Sequence, residues 1–337
     1  MCHHSEIMTS RIKMALAMTG VALFSGIALL SQTNLPPLPD NRVRTVDPAK
    51  YPEVTRLVQG KIMVVAGAGS QVSVLAGDEG LLIVDDQYKQ MSEKLLAAIK
   101  TISDKPIRFV INTHMHPDHV GGNEALAKLG AVIFAHDNVR IRLMGGLPAG
   151  AAPAPAGRGG PAQAPTPAVA LPVVTYKDVV NLHINGEDIS IIPSPKPSHT
   201  DGDCFIYFKN SDVLAMGDVY TTDFPAINPG NGGTSQNVID DWNYALDHYI
   251  GPNTKIVPGH GQISTRADLI ALRDATITIR ERFHKMVKDG MTLEQVKAAR
   301  PTKEFDQRFS LETVGHNEII STDAWYGIMY NEAKNGL

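Results

Sequence analysis

Between His114 and His119 the chain holds three imidazoles and a carboxylate, directly after the apolar run Ile107 to Ile111. The whole stretch reads Asn112-Thr113-His114-Met115-His116-Pro117-Asp118-His119-Val120-Gly121-Gly122-Asn123. Nitrogen and oxygen donors clustered in this way suit a zinc site. In an extended turn His114 and His116 project to the same side. Asp118 and His119 follow a proline that bends the chain, which lets them face a second metal a few ångströms away. One loop of this composition can therefore serve two zinc ions; the plainer alternative is a solvated, His-rich turn.

Three further donors sit where strands end, the place at which the loops of an α/β sheet converge. They are His199 in Lys196-Pro197-Ser198-His199-Thr200-Asp201-Gly202-Asp203, Asp218 in Met216-Gly217-Asp218-Val219, and His260 in Val257-Pro258-Gly259-His260-Gly261. Singly, each has a structural explanation, as a helix cap or a tight turn. Their order after the histidine loop gives them weight. Ser198 beside His199 is a poor nucleophile and base pair, because adjacent side chains diverge and a metal-bound imidazole accepts no proton. Tyr220 and Asn123 are candidate oxyanion donors without a motif behind them, with surface packing as the other reading. Cys204 opens the apolar run Cys204 to Phe208, which favours core packing over a nucleophilic role. His136, His183, His248, His284 and His316 lack ligand-like neighbours and read as structural or solvated.

With these motifs in place the sequence resembles the metallo-β-lactamase superfamily, whose five motifs are matched in order by Asp85, the His114 to His119 loop, His199, Asp218 and His260. The resemblance covers about Val54 to His260. It implies an αββα sandwich with a dinuclear site at one edge of the sheets. It also implies two Zn2+ per chain, with His114, His116 and His199 on one, Asp118, His119 and His260 on the other, Asp218 bridging them, and Asp85 supporting the loop. Two zinc ions sharing a water bring its pKa towards neutrality, so no Ser or Cys nucleophile is required. Asp118 would act as the catalytic carboxylate, orienting the hydroxide and passing a proton to the leaving group. The fourth motif is Asp218, where established zinc β-lactamases carry Cys or Ser. A bridging Asp is the pattern of glyoxalase II and the quorum-quenching lactonases, and glyoxalase II is disfavoured because its glutathione thioester is cytoplasmic. The expectation is a zinc-dependent, β-lactamase-like hydrolase that opens a C–N or C–O acyl bond in a small lactam, lactone, ester or thioester. The alternatives are a lactonase or thioesterase, a mono-iron persulfide dioxygenase, whose iron is held by two His and one Asp, and a non-catalytic zinc-binding module.

The elements that must position these residues alternate as in a layered α/β domain. Strands are expected at Ile62 to Ala66, Val72 to Leu75, Leu81 to Val84, Ile107 to Ile111 and Ala131 to Phe134. Helices are expected over Met91 to Ile102, near Glu124 to Leu129 and near Asn138 to Met144. Gly145 to Leu171 is rich in Ala, Pro and Gly with Arg158 as its single charge, and reads as a mobile loop, either a flap over the site or a surface insertion. Asn185-Gly186 marks a hairpin between Val179 to Ile184 and Ile189 to Ile192. Strands follow at Cys204, Val213 to Met216 and Lys255 to Val257, with a helix from about Val238. Capping boxes at Thr265 to Asp268 and Thr292 to Gln295 open two more helices.

At 337 residues the chain can bury one domain of about 250 to 300 residues. A net charge of −4 and a pI near 6.3 leave no broad basic surface, so nucleic acid is not an expected partner. Arg11 and Lys13 precede the apolar run Met14 to Leu30, and Ser31-Gln32-Thr33-Asn34 follows it, the order of an export signal or, if uncleaved, of an N-terminal membrane anchor. The expected organisation is a signal or anchor over 1–34, a linker over 35–53 and one domain over 54–337, located in the periplasm or secreted. Removal of the signal takes Cys2 with it and leaves Cys204 without an intrachain disulfide partner.

Overall fold

The computed structural model describes residues 35–43, 45–149, 151, 166–310, 316–317 and 320–337. The expected signal over 1–34 and most of the interior of the Ala/Pro/Gly loop lie outside the described residues. Residues 38–337 group as one unit, apart from residues 1–37.

The chain enters through a short strand β1 (Asn41–Arg42), then builds β2 (Val54–Gln59), β3 (Ile62–Ala66), β4 (Val72–Gly77) and β5 (Gly80–Val84). Helix α1 (Ser92–Ile102) leads to β6 (Ile107–Ile111), the helical turn α2 (Pro117–Val120), α3 (Asn123–Lys128), β7 (Val132–His136), α4 (Asp137–Leu143) and β8 (Val174–Tyr176). These strands form a seven-stranded sheet in chain order, antiparallel from β2 to β5 and parallel from β5 to β8. The second sheet contains β9 (Val180–Ile184), β10 (Glu187–Pro193), β11 (Cys204–Phe208), β12 (Val213–Ala215) and β13 (Lys255–Val257), in the order β13-β12-β11-β10-β9. Helices α5 (Ser235–His248), α6 (Arg266–Lys288), α7 (Leu293–Ala299), α8 (Asp306–Phe309) and α9 (Thr322–Lys334) complete the chain, and the short β14 (His316–Asn317) pairs in parallel with β1.

Both sheets are covered on both faces, which explains why central strands such as β5 and β11 read as nearly unbroken apolar runs. In β5, Leu82 and Val84 face the second sheet, where they pack with Ile191, Ile206 and Val213, while Leu81 and Ile83 face Leu95 and Ile99 of α1. In β11, Ile206 and Phe208 join the layer between the sheets, and Phe205 turns to Trp242 of α5 and Leu269 of α6. The layers are therefore helix, sheet, sheet, helix, the expected αββα sandwich. The hairpin turn is where the sequence places it, with Asn185 at φ 56° and Gly186 at φ 69°, the paired positive values that a two-residue turn of matching twist requires. Both expected capping boxes form.

Two expectations about irregular chain need correction. The stretch read as a linker over 35–53 is built into the domain from Leu38 onwards, with Leu38, Asp40, Arg42 and Val43 all buried and β2 starting at Val54. Its prolines and charges suggested solvent, but Asp40 and Arg42 are buried because they pair with each other and, through Arg42, with Asp223. The C-terminal end of the expected mobile loop is likewise packed. Ala170 and Leu171 are buried, and Leu171 joins Val120, Val139 and Leu143 in a small apolar cluster.

Candidate metal centre

The parallel pair β5 and β6 ends at Asp85 and Asn112, and the parallel pair β12 and β13 ends at Met216 and Pro258. Strand β11 runs antiparallel to β12, so the loop preceding it, which carries His199, reaches the same edge. The two sheets are tied there by Cys204 N–H, which donates to the Thr113 carbonyl at 3.0 Å. In this way five segments distant in sequence meet at one end of the sandwich.

All seven expected ligands meet there, in two donor groups: His114, His116, His199 and Asp218 in one, Asp118, His119 and His260 in the other. In the first, His116 Nδ1 lies 3.0 Å from His114 Nε2 and 2.9 Å from His199 Nε2. In the second, His260 Nε2 is 3.2 Å and His119 Nε2 3.9 Å from Asp118 Oδ2. Asp218 lies between the groups. Its Oδ2 is 3.9 Å from His114 Nε2 and 3.6 Å from His199 Nε2, whereas its Oδ1 is 3.2 Å from His119 Nε2 and 3.4 Å from His260 Nε2. Ligand atoms about 2 Å from a tetrahedral zinc stand a little over 3 Å apart, so this spacing suits a metal in each group.

The ring nitrogens of His119, His199 and His116 that turn away from the centre are held by the surroundings. Asp85 accepts from Thr113 N at 2.7 Å and from Thr113 Oγ1 at 2.8 Å, and its Oδ2 is 2.7 Å from His119 Nδ1. It thus shapes the loop and fixes the His119 ring without entering either donor group. His199 Nδ1 donates to the Ala226 carbonyl at 2.8 Å, and His116 Nε2 lies 3.0 Å from the Asn228 side-chain amide. Asp203 folds the loop around His199, accepting at Oδ2 from Ser198 Oγ, His199 N and Thr200 N at 3.0, 2.9 and 2.7 Å. Asn228 and Asp203 escaped sequence reading; the only trace of the latter is its place in the polar turn before β11.

Three buried atoms aimed at the centre, His119 Nε2, Asp218 Oδ1 and His260 Nε2, have no hydrogen-bond partner among the described residues. Unpaired buried polar atoms are costly. Two imidazole nitrogens and a carboxylate oxygen left facing one another are what a bound cation would satisfy, so the residues present fit a metal. The electrostatics agree. Burial, reinforced by neighbouring imidazoles, holds His114 well below its ordinary pKa and His116 at about 4, leaving both neutral and ready to ligate. Burial alone would raise Asp118, but His119 and His260 outweigh it and bring it to about 2. Asp218 is likewise held well below the carboxylate range, burial being outweighed by His260 and His119. Burial opposes protonation of His260 and His119, yet the carboxylates prevail: Asp218 and its neighbours raise His260 to about 9 and His119 well above its ordinary value. A metal must displace those protons to bind.

The residues considered for other roles are committed elsewhere. Tyr220 is buried against Trp242, with ring centroids 6.4 Å apart, and Asn123 is buried and donates to Asn112 Oδ1 at 2.9 Å; both belong to the interior rather than to an oxyanion site or the surface. Cys204 is buried in β11, accepts from the Tyr176 hydroxyl at 3.2 Å, and has its thiol pKa pushed up by burial, as a packing role requires.

A family profile described as the metallo-beta-lactamase superfamily matches residues 66–261. Metallo-beta-lactamase type 2 of Bacillus cereus is 22% identical over 205 residues, 60% of this chain and 70% of that protein. A linear primary-alkylsulfatase of a Pseudomonas species is 45% identical over 53 residues, which span 15% of this chain and only 10% of the sulfatase. Among solved structures, a stereoselective inverting sec-alkylsulfatase from Pseudomonas sp. superposes with a TM-score of 0.60 at 18% identity, over 93% of this chain and 60% of that one. A metallo-beta-lactamase from Pontibacter korlensis gives 0.52 at 18% identity, over 66% of this chain and 99% of its own. At such identities the structures speak for the fold, and the family profile, which covers more than half of the chain, carries the assignment: the chain belongs to the metallo-beta-lactamase superfamily.

Proposed function

We propose that the protein is an exported hydrolase that binds two zinc ions and opens a C–N or C–O acyl bond in a small molecule. The observation that carries this reading is the placement of Asp218, whose two carboxylate oxygens each face a different donor group. His114, His116 and His199 would hold one ion, Asp118, His119 and His260 the other, and Asp218 both. When bound, such a pair supplies an activated water and a Lewis acid for the bond to be broken.

The chain's own residues then have defined tasks. Asp118 is ionised at neutral pH and its side chain is 13% exposed, against at most 9% for the five other candidate ligands that form ion-pair contacts here, so its carboxylate can accept the proton of a water entering from solvent. Ser198 offers no competing nucleophile, because it is buried and its hydroxyl is engaged by Asp203. Asp218 at the fourth motif favours a lactone, ester or thioester over a lactam. A second reading, hydrolysis of an alkyl sulfate ester, draws support from the two alkylsulfatases among the similar proteins. Export rests on the basic, apolar and polar order of the first 34 residues.

Purified, zinc-loaded protein assayed against lactams, lactones, carboxylic esters, thioesters and alkyl sulfates tests the proposal, together with elemental analysis. Two zinc ions and turnover of an acyl substrate are expected. Sulfate release without acyl turnover would shift the assignment to the second reading, and an active protein carrying one iron and no zinc would replace it with a dioxygenase. A metal-loaded protein inert towards every class would leave a binding module.

A further inference from the structure

The first strand of the domain carries a charge cluster that the ligand set does not use. Arg42 Nη2 is 3.0 Å from Asp40 Oδ2 and 2.6 Å from Asp223 Oδ2, with each of the three side chains no more than 8% exposed. The remaining oxygen of Asp40, Oδ1, has no hydrogen-bond partner among the described residues, and neither does His260 Nδ1. These two buried atoms face each other at 3.6 Å. A slight approach would satisfy both.

We propose that Asp40 is the positioning residue of His260, so that residues 38–43 form part of the second metal site instead of a tether leading up to the domain. This rests on the two-ion reading given above. The reason lies in the tautomer. His260 can ligate through Nε2 only if its ring proton resides on Nδ1, and a carboxylate acceptor at Nδ1 selects that tautomer, fixes the ring plane and strengthens the donor nitrogen. Asp40 is held in place for this task. Arg42 anchors its other oxygen, and Gln262, two residues beyond His260, clamps Leu38 from both sides, donating to its carbonyl and accepting from its N–H at 2.8 Å each. On the opposite side Gly69 N–H donates to the Asn41 carbonyl at 3.1 Å. Docking of the N-terminal segment and orientation of a ligand are thus one event.

The test is stepwise cobalt(II) titration of the full chain, followed by absorption and checked by elemental analysis after equilibrium dialysis with zinc. Wild type should take up two ions. Asp40→Ala should bind the first with unchanged affinity and the second about 10- to 100-fold more weakly, the range seen when a ligand loses its supporting acceptor. Asp40→Asn, which keeps an acceptor oxygen but no charge, should fall between. Equal weakening at both sites would mark Asp40 as merely structural and overturn the proposal, and so would two unchanged affinities. A wild type that binds only one ion would instead overturn the two-ion reading, and this inference with it. Should the variants not fold, zinc-loaded wild type labelled with 15N-histidine decides the matter: a slowly exchanging Nδ1–H at His260 is expected, and its absence refutes the proposal.

Discussion

At the scale of single residues, the candidate site separates chemistry from packing. His116 contributes Nδ1 to the first donor group and contacts both other imidazoles there. We expect His116→Ala to lower turnover at least about 100-fold, since it removes a ligand of the group that would polarise the substrate, while the sheets stay folded. Cys204→Ala should leave turnover intact and lower stability by about 1 to 3 kcal/mol, because the buried Tyr176 hydroxyl loses its acceptor and the strand loses a small packed side chain. Steady-state kinetics and denaturant melts of both variants give the comparison; a dead Cys204 variant with normal metal content would contradict the assignment. Protonation adds a second expectation. The pKa of His260 is raised to about 9 in the metal-free protein, above its unfolded value of about 6.5, because Asp218, Asp118 and Asp40 outweigh burial. The stability it contributes is therefore full below about pH 6.5 and lost as pH rises through about 9. Metal binding has the opposite slope, since the proton must leave first. Melting the metal-free protein across this window should show falling stability while zinc affinity climbs; a flat profile in both would refute the electrostatic account.

At the scale of elements, the sequence predicted most strands but not β1, β2, β8 or β14, and the loops only in part. Ile62–Ala66, Ile107–Ile111 and Lys255–Val257 have the bounds expected from sequence, because short, mostly apolar runs rich in Ile and Val, too short for a helix, fit a strand packed into the sandwich. Strand β2 was missed. Its Arg56 and Gln59 dilute the pattern at a sheet edge where most side chains are only partly buried. Strand β8, three residues long and following Pro172, gave no periodic signal at all. The close approach of two motif loops was equally invisible. At Gly259 a Cβ would stand 2.0 Å from Asp218 Oδ1 and 2.7 Å from the Gly217 carbonyl carbon, so only glycine lets the His260 loop pass the shared carboxylate. Gly259→Ala should thus displace Asp218 and cost both metals while circular dichroism remains that of the folded sandwich. Retention of two ions at wild-type affinity would show that the loops do not fix the carboxylate.

At the scale of the whole molecule, the sandwich brings five motifs to one edge, and the C-terminal helices brace that edge from behind. Trp325 of α9 is fully buried, stacks on Phe224 with ring centroids 5.0 Å apart and donates its indole N–H to the Pro225 carbonyl at 3.0 Å. It thereby backs the turn whose Ala226 carbonyl and Asn228 side chain hold His199 and His116. Compartment belongs to this scale too. Fusing the full chain ahead of a reporter that matures only in an oxidising compartment should give activity, whereas activity confined to a cytosolic reporter would refute export.

From the sequence alone, residue types and local periodicity determined the seven candidate donors and the layered α/β class, and the order of the motifs pointed to the superfamily, whose resemblance implied how the donors divide between two groups. Only the tertiary structure decided which nitrogen of each imidazole faces the centre, how the oxygens of Asp218 are shared, that Asn228 and Asp203 support the ligands, and that Asp40 stands behind His260. These depend on contacts between segments as far apart as residues 40 and 260, and on burial that pairs Asp40 with Arg42 in a Pro-rich stretch. Composition read that stretch as a linker because, along the chain, nothing shows what lies on its other side.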